Sequence, residues 1–175
     1  MNLKKSSRTV IVTGGQRSGK SLFAESLALS LADKPVYLAT ARIYDAEMQH
    51  RVEEHKRRRE AKWKNIESPL YISGHSFSKN DVVLVDCITM LATNWFLEKN
   101  ESIEETLIAL KEEINLLMAS DATFIIVTNE IGLGGISGNE MLRKFVDVQG
   151  EINQYVASLA DEVYMMISGI PIKIK

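Results

Sequence analysis

Along the chain, short runs of consecutive apolar residues alternate with longer stretches in which apolar positions recur every three or four residues. TVIVT (9–13) is a β-branched run that stops at glycines, and 18–32 then carries Leu22, Phe23, Leu27, Leu29 and Leu31 at helical spacing. VYLAT (36–40), VVLVD (82–86) and TFIIVTN (123–129) repeat the strand pattern, while 88–99, 103–118 and 140–159 repeat the helical one. The stretch 45–59 is polar but helix-compatible, and WKNIE (63–67) reads as a short strand or an extended segment. IGLGGISGN (131–139) is a glycine-rich loop, and EVYMMIS (162–168) with PIKIK (171–175) reads as a closing hairpin through Gly169 and Ile170. SPLYISGHSFSKN (68–80) is rich in turn residues and carries no periodic signal.

Strands that are apolar on both faces, separated by helices, predict an α/β fold with a mainly parallel sheet covered on both sides. The terminal hairpin adds an antiparallel edge. At 175 residues, with no internal repeat and no linker-like tract, the chain reads as a single domain over 1–175.

Composition narrows the function classes. Hydrophobic content of 45% and charged content of 25% are ordinary for a globular protein, and the formal net charge is −2. A general affinity for nucleic acid is not implied. The one cysteine, Cys87, fits a reducing compartment, and no apolar stretch approaches the length of a membrane span. A soluble cytoplasmic protein is the expectation, with no signal peptide in the short apolar run near the N-terminus.

GGQRSGKS (14–21) follows the first strand and opens the first helix, matching G-x-x-x-x-G-K-[ST] at Gly14, Gly19, Lys20 and Ser21. Glycines let successive backbone N–H groups turn toward one point, and the helix N-terminus adds its positive dipole end there. In this layout Gly14, Gly15, Gln16, Arg17, Ser18 and Gly19 wrap a polyphosphate, Lys20 reaches the β- and γ-phosphates, and the Ser21 hydroxyl ligates Mg²⁺. A phosphate loop of this kind expects an acid at the end of an apolar strand, and VVLVD supplies Asp86 as the second metal ligand. Glu130, after the next strand, falls on the same carboxyl rim, where ligands of open α/β sheets bind; it is a candidate second-substrate or metal contact, or a plain loop acid.

The run VEEHKRRREAKWKN (52–65) sets His55 beside Lys56, Arg57, Arg58 and Arg59. One reading is a solvated basic helix face. The other is a phosphate site with His55 as nucleophile: neighbouring cations disfavour the imidazolium, leaving a neutral ring able to attack phosphorus while the cations hold the leaving pyrophosphate. His50 lies five residues before His55, about 140° away around a helix, which does not suit a metal pair.

The blocks TGGQRSGKS, YLATARIYDAEMQHRVEEHKRRREAKWKNIE, LVDCITML, VTNEIGLG, RKFVDVQGEINQ and ADEVYMMISGIPIKIK, in this order, resemble the CobU family, adenosylcobinamide kinase/adenosylcobinamide-phosphate guanylyltransferase. The resemblance covers nearly the whole chain. It implies a three-layer P-loop NTPase with a RecA-like sheet, and a bifunctional enzyme of cobalamin biosynthesis. Such an enzyme phosphorylates adenosylcobinamide with ATP or GTP, then transfers GMP from GTP to adenosylcobinamide phosphate through a GMP–histidine intermediate, with Mg²⁺ as cofactor. The family's histidine falls on His55, which with Lys20 makes the catalytic pair. Its nucleotide contacts fall on 14–21, on Thr40, Ala41 and Arg42, on Lys56, Arg57, Arg58 and Arg59, on Glu67 and on Asp86. It further implies a homotrimer with nucleotide sites near subunit boundaries. Two positions depart from the family's pattern: Glu60 stands where a proline is frequent, and Val146 where the block around Phe145 and Asp147 has an arginine.

Two other readings share the phosphate loop. A simple small-molecule kinase would use the basic stretch as a lid and leave His55 incidental; a RecA-like nucleic-acid module would use it as a binding patch. Among the remaining residues, Cys87 and Trp95 read as core, Trp63 as core or lid packing, and His75 as a loop residue without a visible partner. Arg143, Asp147, Asn153 and Gln154 read as either helix surface or substrate contacts.

Overall fold

The computed structural model describes residues 8–59 and 62–175; within the helix 46–59, the side chains at 48, 51, 54–56, 58 and 59 are also outside the described residues. Seven strands form one sheet: β1 (Thr9–Gly14), β2 (Val36–Ala39), β3 (Lys64–Glu67), β4 (Val82–Asp86), β5 (Thr123–Val127), β6 (Glu162–Ile167) and β7 (Ile170–Lys173), in the order β3-β2-β4-β5-β1-β6-β7. All neighbours pair in parallel except β6 and β7, which form the antiparallel edge hairpin. The helices are α1 (Lys20–Leu31), α2 (Ala46–Arg59), α3 (Ile88–Glu98), α4 (Ile103–Met118) and α5 (Glu140–Leu159). The expected elements are all present, and 63–67 resolves as a strand beginning at Lys64.

Alternation along the strands builds two apolar layers. Ile11, Val83, Val85, Phe124 and Ile126 face α3, α4 and α5, which contribute Leu91, Phe96, Leu110, Ile114 and Ile152. Val10, Val12, Leu84, Ile125 and Val127 face the other way, against Ala24 and Ala28 of α1. Alanines at these two positions let α1 lie close over β1, β4 and β5. The result is three layers, with every central strand apolar on both faces, as parallel sheets require.

The segment 68–80 is not loose surface. Leu70 and Ile72 are buried, the Trp95 indole donates to the Leu70 carbonyl at 3.2 Å, and the Glu113 carboxylate accepts from the Ser73 amide at 2.9 Å. Trp63 is core, edge-on to Tyr37 with ring centroids 5.6 Å apart.

Candidate active site

The phosphate loop is shaped by its glycines. Gly14 ends β1 with φ +147°, and a Cβ there would stand 2.6 Å from the Met166 carbonyl oxygen and 2.8 Å from Ser18 Oγ. Gly19, at φ +95°, caps the start of α1, and a Cβ on it would press to 3.2 Å from the Gly169 Cα. The Gly169 amide donates to the Ser18 carbonyl at 3.0 Å, so the β6–β7 turn braces the loop from behind. Lys20 is the first residue of α1 and is buried. Its ammonium donates to the Gly15 carbonyl at 2.5 Å. Burial pulls the Lys20 pKa below its usual value, and the negative charges possible on Cys87 and Asp86 oppose that shift. Burial also pushes the Cys87 thiol up to about 12, so near neutral pH the counter-charge comes from Asp86.

Asp86 ends β4, in register with Ala39 of β2 and Val127 of β5. The Tyr37 hydroxyl donates to its Oδ2 at 2.5 Å. Just beyond it, the Thr40 hydroxyl accepts from the Cys87 amide at 2.8 Å and donates to the Cys87 carbonyl at 2.7 Å.

These groups open on one cavity of about 1160 Å³ at the carboxyl rim of the sheet. Gln16, Arg17, Ser18, Gly19, Lys20 and Ser21 line one end; Asp86 and Asn129 line the middle; Ala41, Tyr44 and Glu67 line the side under β2 and β3; Glu47, Val52 and Arg57 contribute from α2. The sheet order explains the reach, because β1 and β3 are separated by four strand intervals, about 19 Å at ordinary spacing.

Most of the residues singled out in the sequence meet here. Gly14 and Gly15 shape the base of the loop without lining the cavity, and Thr40 is buried beneath the rim. Arg42 lies aside, paired with Glu98 at 3.3 Å. Glu130 sits next to the lining: its amide donates to the Gly14 carbonyl at 3.1 Å and its Oε2 receives the Asn153 amide at 3.5 Å. The side chains of His55, Lys56, Arg58 and Arg59 are outside the described residues, while α2 carries the backbone of all four. Among the described residues no three His, Cys, Asp or Glu side chains gather as a metal cluster.

Sequence reasoning missed the groups that hold the rim. Tyr37 and Tyr44 lie in the strand and loop stretches without a local motif to single them out. Asn153 is not a surface residue: it donates to the Asn129 carbonyl at 2.9 Å and accepts from Thr128 Oγ1 at 2.7 Å and Gln149 Nε2 at 2.8 Å. Polar residues facing the core from α5 were the available signal. Arg143, by contrast, caps its own loop by donating to the Ser137 and Gly138 carbonyls.

Residues 10–174 match the family model described as "Cobinamide kinase / cobinamide phosphate guanyltransferase", CobU. The bifunctional adenosylcobalamin biosynthesis protein CobU of Salmonella typhimurium is 36% identical, over 95% of this chain and 99% of that protein. The protein of the same name from Escherichia coli is 34% identical with the same coverage. The bifunctional adenosylcobalamin biosynthesis protein CobP of Pseudomonas aeruginosa is 35% identical over 94% of this chain and 96% of its own.

Proposed function

The chain belongs to the CobU family, cobinamide kinase / cobinamide phosphate guanyltransferase, and from that premise we propose that it runs two reactions at the rim cavity. In the first, a hydroxyl oxygen of adenosylcobinamide attacks the γ-phosphorus of ATP or GTP. The bond to the β–γ bridging oxygen breaks, the nucleoside diphosphate leaves and the hydroxyl proton passes to water. In the second, a ring nitrogen of His55 attacks the α-phosphorus of GTP; a P–N bond forms and pyrophosphate leaves. A phosphate oxygen of adenosylcobinamide phosphate then attacks that phosphorus. The P–N bond breaks, releasing adenosyl-GDP-cobinamide and the free imidazole.

The observation that carries this reading is the shared cavity: the phosphate loop, Asp86, Glu67 and residues of α2 all line it. Val52 and Arg57 of α2 flank His55 in sequence. A plain kinase needs the phosphate loop and Asp86 but gives no role to a carboxylate at the far end. Glu67 suits guanine or ribose, since a carboxylate accepts two N–H or O–H bonds at once. The hydroxyl of Ser21 and the carboxylate of Asp86 are the hard oxygen donors that Mg²⁺ takes beside substrate phosphates, and one carboxylate is the usual protein share. Bound there, Mg²⁺ would neutralise charge on the transferring phosphoryl group.

Exposed Ile170, Ile172 and Ile174 on and beside the β7 edge support self-association, which we assign as the homotrimer. No described helix is long and apolar enough to cross a membrane, and we place the enzyme in the cytoplasm, where its nucleotide substrates are.

The test is covalent labelling. Full-length protein, Mg²⁺ and GTP labelled at the α-phosphate should give acid-labile, alkali-stable label that is absent from His55→Ala and Lys20→Ala. Folded wild type that binds GTP without taking label would return His55 to an incidental role and leave a P-loop kinase.

A further inference from the structure

Asn94 lies inside α3 and is fully buried, yet no part of the chemistry above uses it. A buried amide must place two N–H donors and an acceptor oxygen. Asn94 places all of them, on both ends of the β2–α2 connection and on the segment after β3. Its Nδ2 donates to the Thr40 carbonyl at 2.8 Å and to the Pro69 carbonyl at 2.7 Å. Its Oδ1 accepts from the Tyr44 hydroxyl at 2.7 Å. Thr40 follows the end of β2, Pro69 lies two residues past Glu67, and Tyr44 stands just ahead of α2.

The two tethered segments carry Ala41, Tyr44 and Glu67, which line the cavity at the end away from the phosphate loop. Tyr44 is 50% exposed, and its hydroxyl bond to Asn94 ties the ring to the core beside the lining. A ring held in place before binding loses less freedom when a ligand packs on it. Asp of the same shape lacks both donors, and Leu lacks all three bonds.

We propose that Asn94 is a positioning residue for the nucleoside end of the cavity, acting through Tyr44 and through the Thr40 and Pro69 carbonyls. This rests on reading the cavity as a nucleotide site. The clamp acts on base and ribose recognition: Asn94 bonds neither 14–21 nor Asp86, and Tyr44→Phe leaves intact the Thr40 amide's bond to the Asp86 carbonyl at 3.1 Å.

The experiment compares Mg²⁺–GTP with Mg²⁺–tripolyphosphate by isothermal titration calorimetry on full-length protein. Tyr44→Phe keeps the ring and removes one bond; Asn94→Ala removes all three. Tyr44→Phe should weaken GTP roughly three- to tenfold, the worth of one neutral hydrogen bond, and Asn94→Ala should weaken it further. Tripolyphosphate affinity should stay within about twofold in both. Should Asn94→Ala fail to fold by circular dichroism, Tyr44→Phe decides alone. Unchanged GTP affinity in the folded variants overturns the clamp and leaves the cavity reading intact. Equal losses for GTP and tripolyphosphate overturn it as well, because they mark a merely structural role. Wild type that binds tripolyphosphate but not GTP overturns the nucleotide-site reading and the clamp together.

Discussion

The Thr40 hydroxyl spans the Cys87 peptide, accepting from its amide at 2.8 Å and donating to its carbonyl at 2.7 Å. One buried side chain thereby bonds both backbone polar groups of Cys87, where the backbone leaves β4 for α3. Thr40→Val keeps the shape and strands the Cys87 amide in the interior, while the Cys87 carbonyl keeps its bond from the Leu91 amide at 3.1 Å. It should destabilise the fold by about 2–4 kcal/mol and slow phosphotransfer by loosening Asp86. Thr40→Ser keeps the hydroxyl, loses one methyl group, and should cost about 1 kcal/mol. Urea denaturation beside a kinase assay separates the two variants; equal stability for both would show that the bridge contributes nothing.

The glycines of the phosphate loop should not be equivalent. Gly14→Ala drives a Cβ to 2.6 Å from a backbone oxygen at φ +147°, and Gly19→Ala puts one against the Gly169 backbone at φ +95°. Each should cost about 1–3 kcal/mol and weaken nucleotide binding, since the strain falls on the loop itself. A Cβ on Gly15 meets nothing within 4 Å, so Gly15→Ala should change stability by no more than about 0.5 kcal/mol. Thermal melts of the three variants give the order directly. A Gly15→Ala loss as large as that of Gly14→Ala would refute it.

Why were these residues legible and others not? The strands and helices were readable because they bury apolar side chains at fixed periods, as Val82–Asp86 and Glu140–Leu159 do. The phosphate loop was readable because its chemistry is local in sequence. Residues 68–80 were not, because they are held by distant partners: the Trp95 indole and the Glu113 carboxylate, neither of which leaves a periodic trace. Asn94 was missed, and Asn153 left open between surface and substrate contact, for a related reason. A polar residue in a helix reads as surface unless its face is known, and α3 is apolar on nearly every side, so Asn94 had no polar stripe to depart from.

Acid stability should depend on Glu162 at the start of β6. The Tyr164 hydroxyl (2.7 Å), the Lys173 ammonium (3.0 Å) and the Arg8 guanidinium all bond its carboxylate and hold its pKa down to about 2 from 4.5. A carboxylate with a depressed folded pKa contributes stability that is fully present above about pH 4.5 and lost as pH falls through about 2. Glu162→Gln should therefore be less stable than wild type at pH 7, by about 1 kcal/mol after allowing for solvent screening. The gap should close between pH 4.5 and 2. A gap that stays constant across that window in urea melts would mean the carboxylate's charge is not what matters.

Lys20 offers the sharpest separation of stability from activity. Its ammonium is buried before any nucleotide arrives, and burial lowers its pKa. For a base, a folded pKa below the unfolded value means that the unfolded chain binds the proton more tightly. The charged lysine then works against folding at neutral pH, and stability rises with pH across the window between the lowered pKa and 10.5. Lys20→Met keeps the length of the side chain and removes the buried charge, so without ligand it should melt at or above the wild-type temperature. On the proposed reading the same change removes the group that would meet the β- and γ-phosphates, and it should lower both transfer rates by about a hundredfold or more. Mg²⁺–GTP at about a hundred times its Kd should then stabilise wild type by about 2.7 kcal/mol and leave the variant nearly unmoved. The order of melting temperatures should invert when nucleotide is added. A ligand-free variant that melts well below wild type would show instead that the bond from Lys20 to the Gly15 carbonyl holds the loop together, and that the buried charge stabilises the empty site.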